Sequence, residues 1–474
     1  MTLYRTICLF AAVTAFAPLF SQNIYQKAKP PAEISSFDRF LSQTRQSVKI
    51  TSAPEASDNV MVRRLYLDLL GRVPTPKEAL AYIQGKQENK QSVLVKKLLQ
   101  TEEHAMFMTM RYGDELRIKS EFPINLWPNA AFLYTRTIYD AYRNNLPYDK
   151  FASQLILSDG SNFRNGYANF FRAVPKKDSQ TIADAAAQFL FGKPLKKLSV
   201  KEQKEFIKAF SGIKFKSTRE WKEEIVYSVF SPEKDPRHPF MKQVLQKNEF
   251  ARNGVLRLWK WIFGSDNAAP EIIDHLTEQF RKNNYDQRAL LSMICTSSAY
   301  RVSSICSGDY QKMTRYGAVY PVRRLDAEVL ADSIAQITGR KNSYSSVIPE
   351  PFSYYNGRAA AIPDGSVTDQ FLLLFGRPSR DTGAAGERKN IITADQRLYL
   401  FNSSDLNNRL NQIFRYKLKT EKDKLGALYL LFYSRMPTPA ERKSFQEMNK
   451  KWKWRLLSRM PWVLLNSKEF LYQH

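Results

Sequence analysis

LYLDLLGRVPTPKEA, residues 65–79, returns as LYLLFYSRMPTPAER at residues 428–442. The shared positions are Leu65/Leu428, Tyr66/Tyr429, Leu67/Leu430, Arg72/Arg435, Pro74/Pro437, Thr75/Thr438, Pro76/Pro439 and Glu78/Glu441. Further on, each copy runs into a second echo, LLQTEEH at 98–104 and LLNSKEF at 464–470, with MICTSSAY at 293–300 as a weaker relative. Met61, Leu65 and Leu69 recur at helical spacing, so the phrase opens on an amphipathic helix, and Gly71 fits its stop. Thr75 then reads as an N-cap. Pro76 takes the first helical position, where its missing N–H is harmless, and Glu78 the third, completing a capping box. Thr438, Pro439 and Glu441 repeat the arrangement. The unit is predicted as a helix, a Pro-Thr-Pro turn and at least one more helix. The fold class that follows is mainly α: multi-helical, two helical domains, long irregular loops and few short strands. Capping and packing account for every shared residue, which makes the repeat scaffold. It recurs only near the two ends, with roughly 320 residues between, so a stacked solenoid is disfavoured.

The 474 residues are enough for two or three domains with real cores. Turn signals cluster in SPEKDPRHP at 231–239, which places a boundary there. The expected divisions are a signal peptide at 1–21, a linker at 22–34, an N-terminal helical domain at 35–234 and a C-terminal helical domain at 235–474. Arg5 precedes an apolar run at 7–20. That run is short for a bilayer span and suits a signal-peptide core, with cleavage near Ser21 or, alternatively, an uncleaved anchor. Ile7 stands where a lipoprotein site before Cys8 would want a small residue. The chain is therefore expected to be exported, to the periplasm, the cell envelope or beyond, touching membrane through that segment if at all.

Lys and Arg total 72 against 46 Asp and Glu, a formal charge of +26. Such a field favours polyanions. Export argues against nucleic acid, which leaves an anionic envelope or extracellular glycan, or plain solvation of a basic surface. The densest run, 193–222, reads as a solvated helix face because Glu202 and Glu205 lie inside it.

Several constellations carry possible chemistry. In GRPSRDTGAAGER, Arg377, Arg380 and Arg388 surround glycines whose N–H groups are free to face an anion; the alternative is that these arginines pair with Asp381 and Glu387 and pin an irregular loop. Trp127 sits with Asn125 and Asn129 in a Pro-bounded loop, and Asn162 and Arg164 in another. An aromatic face beside amides is the apparatus of sugar binding; the alternative is loop packing. Asp114, Glu115 and Glu121 are the carboxylates available for an acid/base pair. Cys295 and Cys306 are candidates for a local disulfide in an oxidising compartment. Four scattered histidines give no metal spacing, so no metal site is expected.

Taken together, these segments resemble a pair of bacterial envelope families, the domains of unknown function numbered 1549 and 1553. The N-terminal half does so through RRLYLDLLGRVPTPKEA (63–79), DELRIKSEFPINLWPNAAFLY (114–134) and NNLPYDKFASQLI (144–156). The C-terminal half does so through FARNGVLRLWKWIFG (250–264), NYDQRALLSMICTSSAYRVSS (284–304), PVRRLDAEVLADSIAQITG (321–339), LFGRPSRDTGAAGER (374–388) and LLNSKEFL (464–471). The resemblance implies an exported protein and, by analogy alone, a sulfatase-like partner protein; it brings no established activity. Relatives often carry a CxxCH-like stretch after the position of FLFG (189–192) and a Cys-Glu-Cys stretch after FGRP. Here those positions read KPLKKLSVKEQ and Gly383-Ala384-Ala385-Gly386. Without the sulfurs neither c-type haem nor a thiolate-bound metal is expected, and no cofactor is assigned. The leading expectation is a non-catalytic exported protein that binds an anionic glycan or a partner protein. The alternatives are a glycan-active hydrolase, an accessory to a sulfatase-like enzyme, and a structural envelope module.

Overall fold

The computed structural model describes residues 22–344, 357–452 and 454–474. The expected signal peptide lies outside the described residues. The chain is mainly helical, with five two- to five-residue strands among the described residues. No described helix is long and apolar enough to cross a membrane.

Both copies of the repeat fold alike. Helices Asp58–Leu70 and Lys424–Tyr433 end at Gly71 and Ser434, each left-handed, and each donates its N–H to the carbonyl four residues back (3.2 and 3.1 Å). The Pro-Thr-Pro turn follows. Helix Pro76–Gln84 is capped by Thr75, whose hydroxyl accepts from the Glu78 N–H while Glu78 accepts from the Thr75 N–H. Thr438 and Glu441 exchange the same two bonds before helix Pro439–Trp452. The echo phrases end each copy at a Thr101- or Ser467-capped helix.

The two copies, distant in sequence, touch. Buried Arg63 donates to the Phe432 carbonyl at 2.7 Å and the Phe470 carbonyl at 2.9 Å. The last residues are drawn into the same place. Strand β5 (Tyr472–Gln473) pairs antiparallel with β4 (Arg323–Arg324), and the Gln473 amide donates to Asp68 at 2.7 Å. Asp68 also accepts from the Tyr300 and Tyr320 hydroxyls. A buried carboxylate with four donors around it, Arg323 included, loses little by leaving water.

Packing divides the chain elsewhere than at 234. One core runs from Phe37 to Tyr320, and a second takes residues from Leu325 to Phe470 together with Leu67, Val73, Phe107 and Met110. The turn at 231–239 exists but connects elements of one core: Phe240, just past it, packs edge-on against Phe206 (4.7 Å) and Phe210 (5.8 Å). The stretch 22–34 is docked in part: Lys27 bonds to Glu55, and Ser57 to the Ile24 carbonyl. Helix Ser179–Phe191 starts under an Asp178 cap, and Asp184 on it accepts from the Leu195 N–H. Helix Ala327–Thr338 starts just after Arg323–Arg324, which is engaged as β4.

The basic run read as a helix face is only partly helical. Helix Val200–Phe210 gives way to a hairpin of β2 (Ile213–Ser217) and β3 (Glu224–Ser228), joined on its far side by β1 (Gly160–Ser161) in the order β1-β3-β2.

Candidate functional site

Three loops converge at the tip of the β2–β3 hairpin. The first, 119–127, is folded on itself by bonds from the Leu126 and Trp127 N–H groups to the carbonyls of Lys119 and Ser120 (3.1 and 3.2 Å). Ile124 and Leu126 are buried beneath it. Asn125 and Trp127 have positive φ, 58° and 72°; this is tolerated by Asn, whereas Trp127 combines it with ψ 148°, a conformation rare for a residue with a side chain. It leaves Asn125 exposed and the Trp127 indole half-exposed. The second loop, 158–165, carries Asn162. The third is the hairpin tip, where Trp221 is 72 % exposed. The Lys222 ammonium lies between the two indoles, 5.8 Å from the Trp127 ring and 5.1 Å from the Trp221 ring. That is cation–π range.

Asn162 is buried rather than solvent-facing. Its side chain accepts from the Glu224 N–H (2.9 Å) and donates to the Lys222 carbonyl (3.4 Å), so it ties the tip to the body. It is a positioning residue, and the expectation that it reaches a ligand is corrected. Arg164 is exposed but held by Glu220 (3.3 Å) and Glu223 (3.6 Å). Asn129 is exposed on the first turn of helix Pro128–Arg143. Trp221 and Lys222 were not singled out from sequence. The available signal was the alternation of IKFKS and EIVYS around a polar turn, the mark of a hairpin.

The arginine-rich loop is not an open anion site. Arg380 is 1 % exposed and Arg377 6 %. Arg380 donates to Asp114 at 2.9 Å and to the Pro363 carbonyl at 3.1 Å. Arg388 bridges Asp114 and Glu328, both at 2.6 Å, and Arg377 donates to the carbonyls of Val367 and Asp364. Gly113 makes room for this, since a Cβ there would lie 3.1 Å from the Arg380 guanidinium. These groups join the 102–115 helix to the second core, so the fork-shaped donors are already occupied by the protein's own acceptors.

Asp114 and Glu115, two of the carboxylates proposed for an acid/base pair, are likewise engaged. Burial opposes ionisation of Asp114, but Arg388 and Arg380 hold its carboxyl below the usual range, the reverse of what a general acid needs. Glu115 pairs with Arg257 at 2.6 Å, and the Glu121 N–H donates to Ser366. Cys295 and Cys306 are free thiols. Cys295 is buried on helix Gln287–Thr296, while Cys306 lies on the following loop with its Sγ 3.9 Å from the Gly308 carbonyl. Among the described residues no group of three or more His, Cys, Asp or Glu could hold a metal ion. His104 is packed between the Leu69 carbonyl and the Tyr142 hydroxyl, and burial lowers its pKa to about 4.

Searches of curated proteins and of solved structures found no match. Two family models match in tandem: that of a protein of unknown function, DUF1549, over residues 36–211, and that of a protein of unknown function, DUF1553, over residues 237–449. The gap between the matches, 212–236, spans the β2–β3 hairpin and the start of the turn at 231–239, whereas the cores divide between Tyr320 and Leu325. The second family's segment thus contributes helices to both cores, and the chain belongs to the paired DUF1549 and DUF1553 families.

Proposed function

We propose that the protein is a non-catalytic, exported module that binds an anionic glycan at the hairpin tip. The observation that carries this reading is the Lys222 ammonium between the indoles of Trp127 and Trp221, open to solvent. A flat aromatic face covers the C–H groups of a sugar ring, and a cation beside it meets a carboxylate or sulfate. Arg219, Lys214 and Lys216 are exposed nearby on the same hairpin, so a chain of charges would find successive partners. Trp127 supports the reading further, because a Trp at positive φ and extended ψ costs on the order of 1–3 kcal/mol and is held there by the bonds of its loop. The export part of the proposal rests on the apolar run at 7–20 behind Arg5.

The test is a tryptophan-fluorescence titration of the mature protein with sulfated, carboxylated and neutral polysaccharides at about 50 mM and about 500 mM salt. Anionic polymers are expected to bind, with affinity falling at high salt and falling at least about tenfold in W221A/K222A. Salt-indifferent binding, equal binding of neutral polymers, or an unaffected double variant would each overturn it.

A further inference from the structure

Strand β2 is the edge of its sheet. In an antiparallel ladder, alternate residues turn both backbone groups toward the neighbour and the others turn them away. Val229 donates to the Gly212 carbonyl and Thr218 to the Glu223 carbonyl, in the register Lys214↔Tyr227 and Lys216↔Ile225. Even-numbered residues therefore face β3, and the N–H and C=O of Ile213, Phe215 and Ser217 face outward. No hydrogen bond reaches these groups from any other described residue. Lys214 and Lys216 are exposed, and neither has an ion-pair partner among the described residues. The run 193–222 around them holds ten Lys and Arg against three Glu.

We propose that this edge takes up an extended acidic segment of another protein as an added strand, with carboxylates at alternate positions opposite Lys214 and Lys216. Cross-strand neighbours sit about 5 Å apart, so opposite charges there attract and like charges repel. A second copy of this chain is disfavoured as the occupant. Two β2 edges meeting antiparallel about Phe215 would set Lys214 of one copy against Lys216 of the other. Edge lysines thus oppose self-association while leaving main-chain bonds open to an acidic strand. This edge runs back from the Trp127–Trp221 tip and shares Lys214 and Lys216 with the basic track beside it, but it offers main-chain groups that the tip does not, and the proposal goes beyond the glycan reading.

The probe is a capped peptide alternating threonine with glutamate. The control alternates proline with glutamate, carrying the same charge but no N–H at alternate positions. Amide hydrogen exchange is expected to slow at Ile213, Phe215 and Ser217 with the first peptide and not with the second. K214E/K216E is expected to weaken binding at least about tenfold. S217P, which deletes one outward N–H and no ladder bond, should weaken it while circular dichroism stays unchanged. Equal binding of the proline peptide, or an unaffected S217P, would overturn strand addition in favour of charge adhesion. Trp221→Ala should leave peptide binding intact. A loss matching that of K214E/K216E would move the site to the tip and overturn the proposal.

Discussion

Replacing Arg435 by Met tests what the repeat is for. The Arg435 side chain is 3 % exposed and donates to four carboxylate oxygens: Glu441 at 2.8 and 2.8 Å, and Glu469 at 2.6 and 2.8 Å. Met fills much the same volume but leaves two carboxylates facing each other without a counter-ion. Removing one partner of a buried ion pair costs about 3–5 kcal/mol. The equivalent Arg72 holds Glu78 and Glu103 with the same geometry, but its side chain is 12 % exposed and Glu103 is 36 % exposed. Glu103 also keeps Arg358 at 2.9 Å after the substitution. Solvent screening and that second guanidinium reduce the expected loss for R72M to about 1–2 kcal/mol. The assay is urea unfolding followed by far-ultraviolet circular dichroism for each single variant and for R435M/E441Q/E469Q. The triple variant removes the stranded charges and should recover most of the loss. A loss in R72M as large as in R435M, or no recovery in the triple variant, would refute the account of the clamp as a buried charge-balanced tie.

The same equivalence makes the helix stops informative. Gly71 has φ +66° and a Cβ there would lie 2.6 Å from the Phe107 ring, so G71A should destabilise by at least about 2 kcal/mol. Ser434 has φ +60° and a buried, unbonded hydroxyl, so S434G should stabilise by about 1 kcal/mol; thermal melts of both variants check the opposite signs. In Glu78, Glu441 and Asp114, burial opposes ionisation, yet the adjoining arginines hold each carboxyl below its ordinary value. Their stabilisation is therefore complete above the unfolded carboxyl range and is lost as pH falls through the folded values; stability that stays flat between about pH 5 and 2 would contradict this. Thiol titration of a chain spanning residues 22–474 should find Cys306 reactive in the native state and Cys295 only after unfolding, because Cys295 is buried and burial pushes its thiol up.

The repeated hairpin was legible because its determinants are local. A capping box lies within four residues, and a helical stripe within two turns. The clamp was half legible. Arg72/Arg435 and Glu78/Glu441 stand in the shared phrase and Glu103/Glu469 in the shared echo, yet nothing local states that the echo returns to the arginine some thirty residues before it. The candidate site divided in the same manner. Trp127 was singled out for its loop chemistry and lies at the hairpin tip. Arg377, Arg380 and Arg388 were singled out for the same reason; the first two are buried, the third is half-buried, and all three are tied to Asp114 or Glu328.

What the sequence determined by itself was the helical class, the unit that repeats, its caps and the family, since each rests on short-range periodicity or on residue patterns. Only the tertiary structure decided that the two copies meet at Arg63, that the cores divide near residue 322, and which cations face water. Those depend on contacts hundreds of residues apart, as between Arg380 and Asp114. An arginine's side chain is the same in either setting; whether it binds a ligand or ties two helices depends on which carboxylates the fold brings to it.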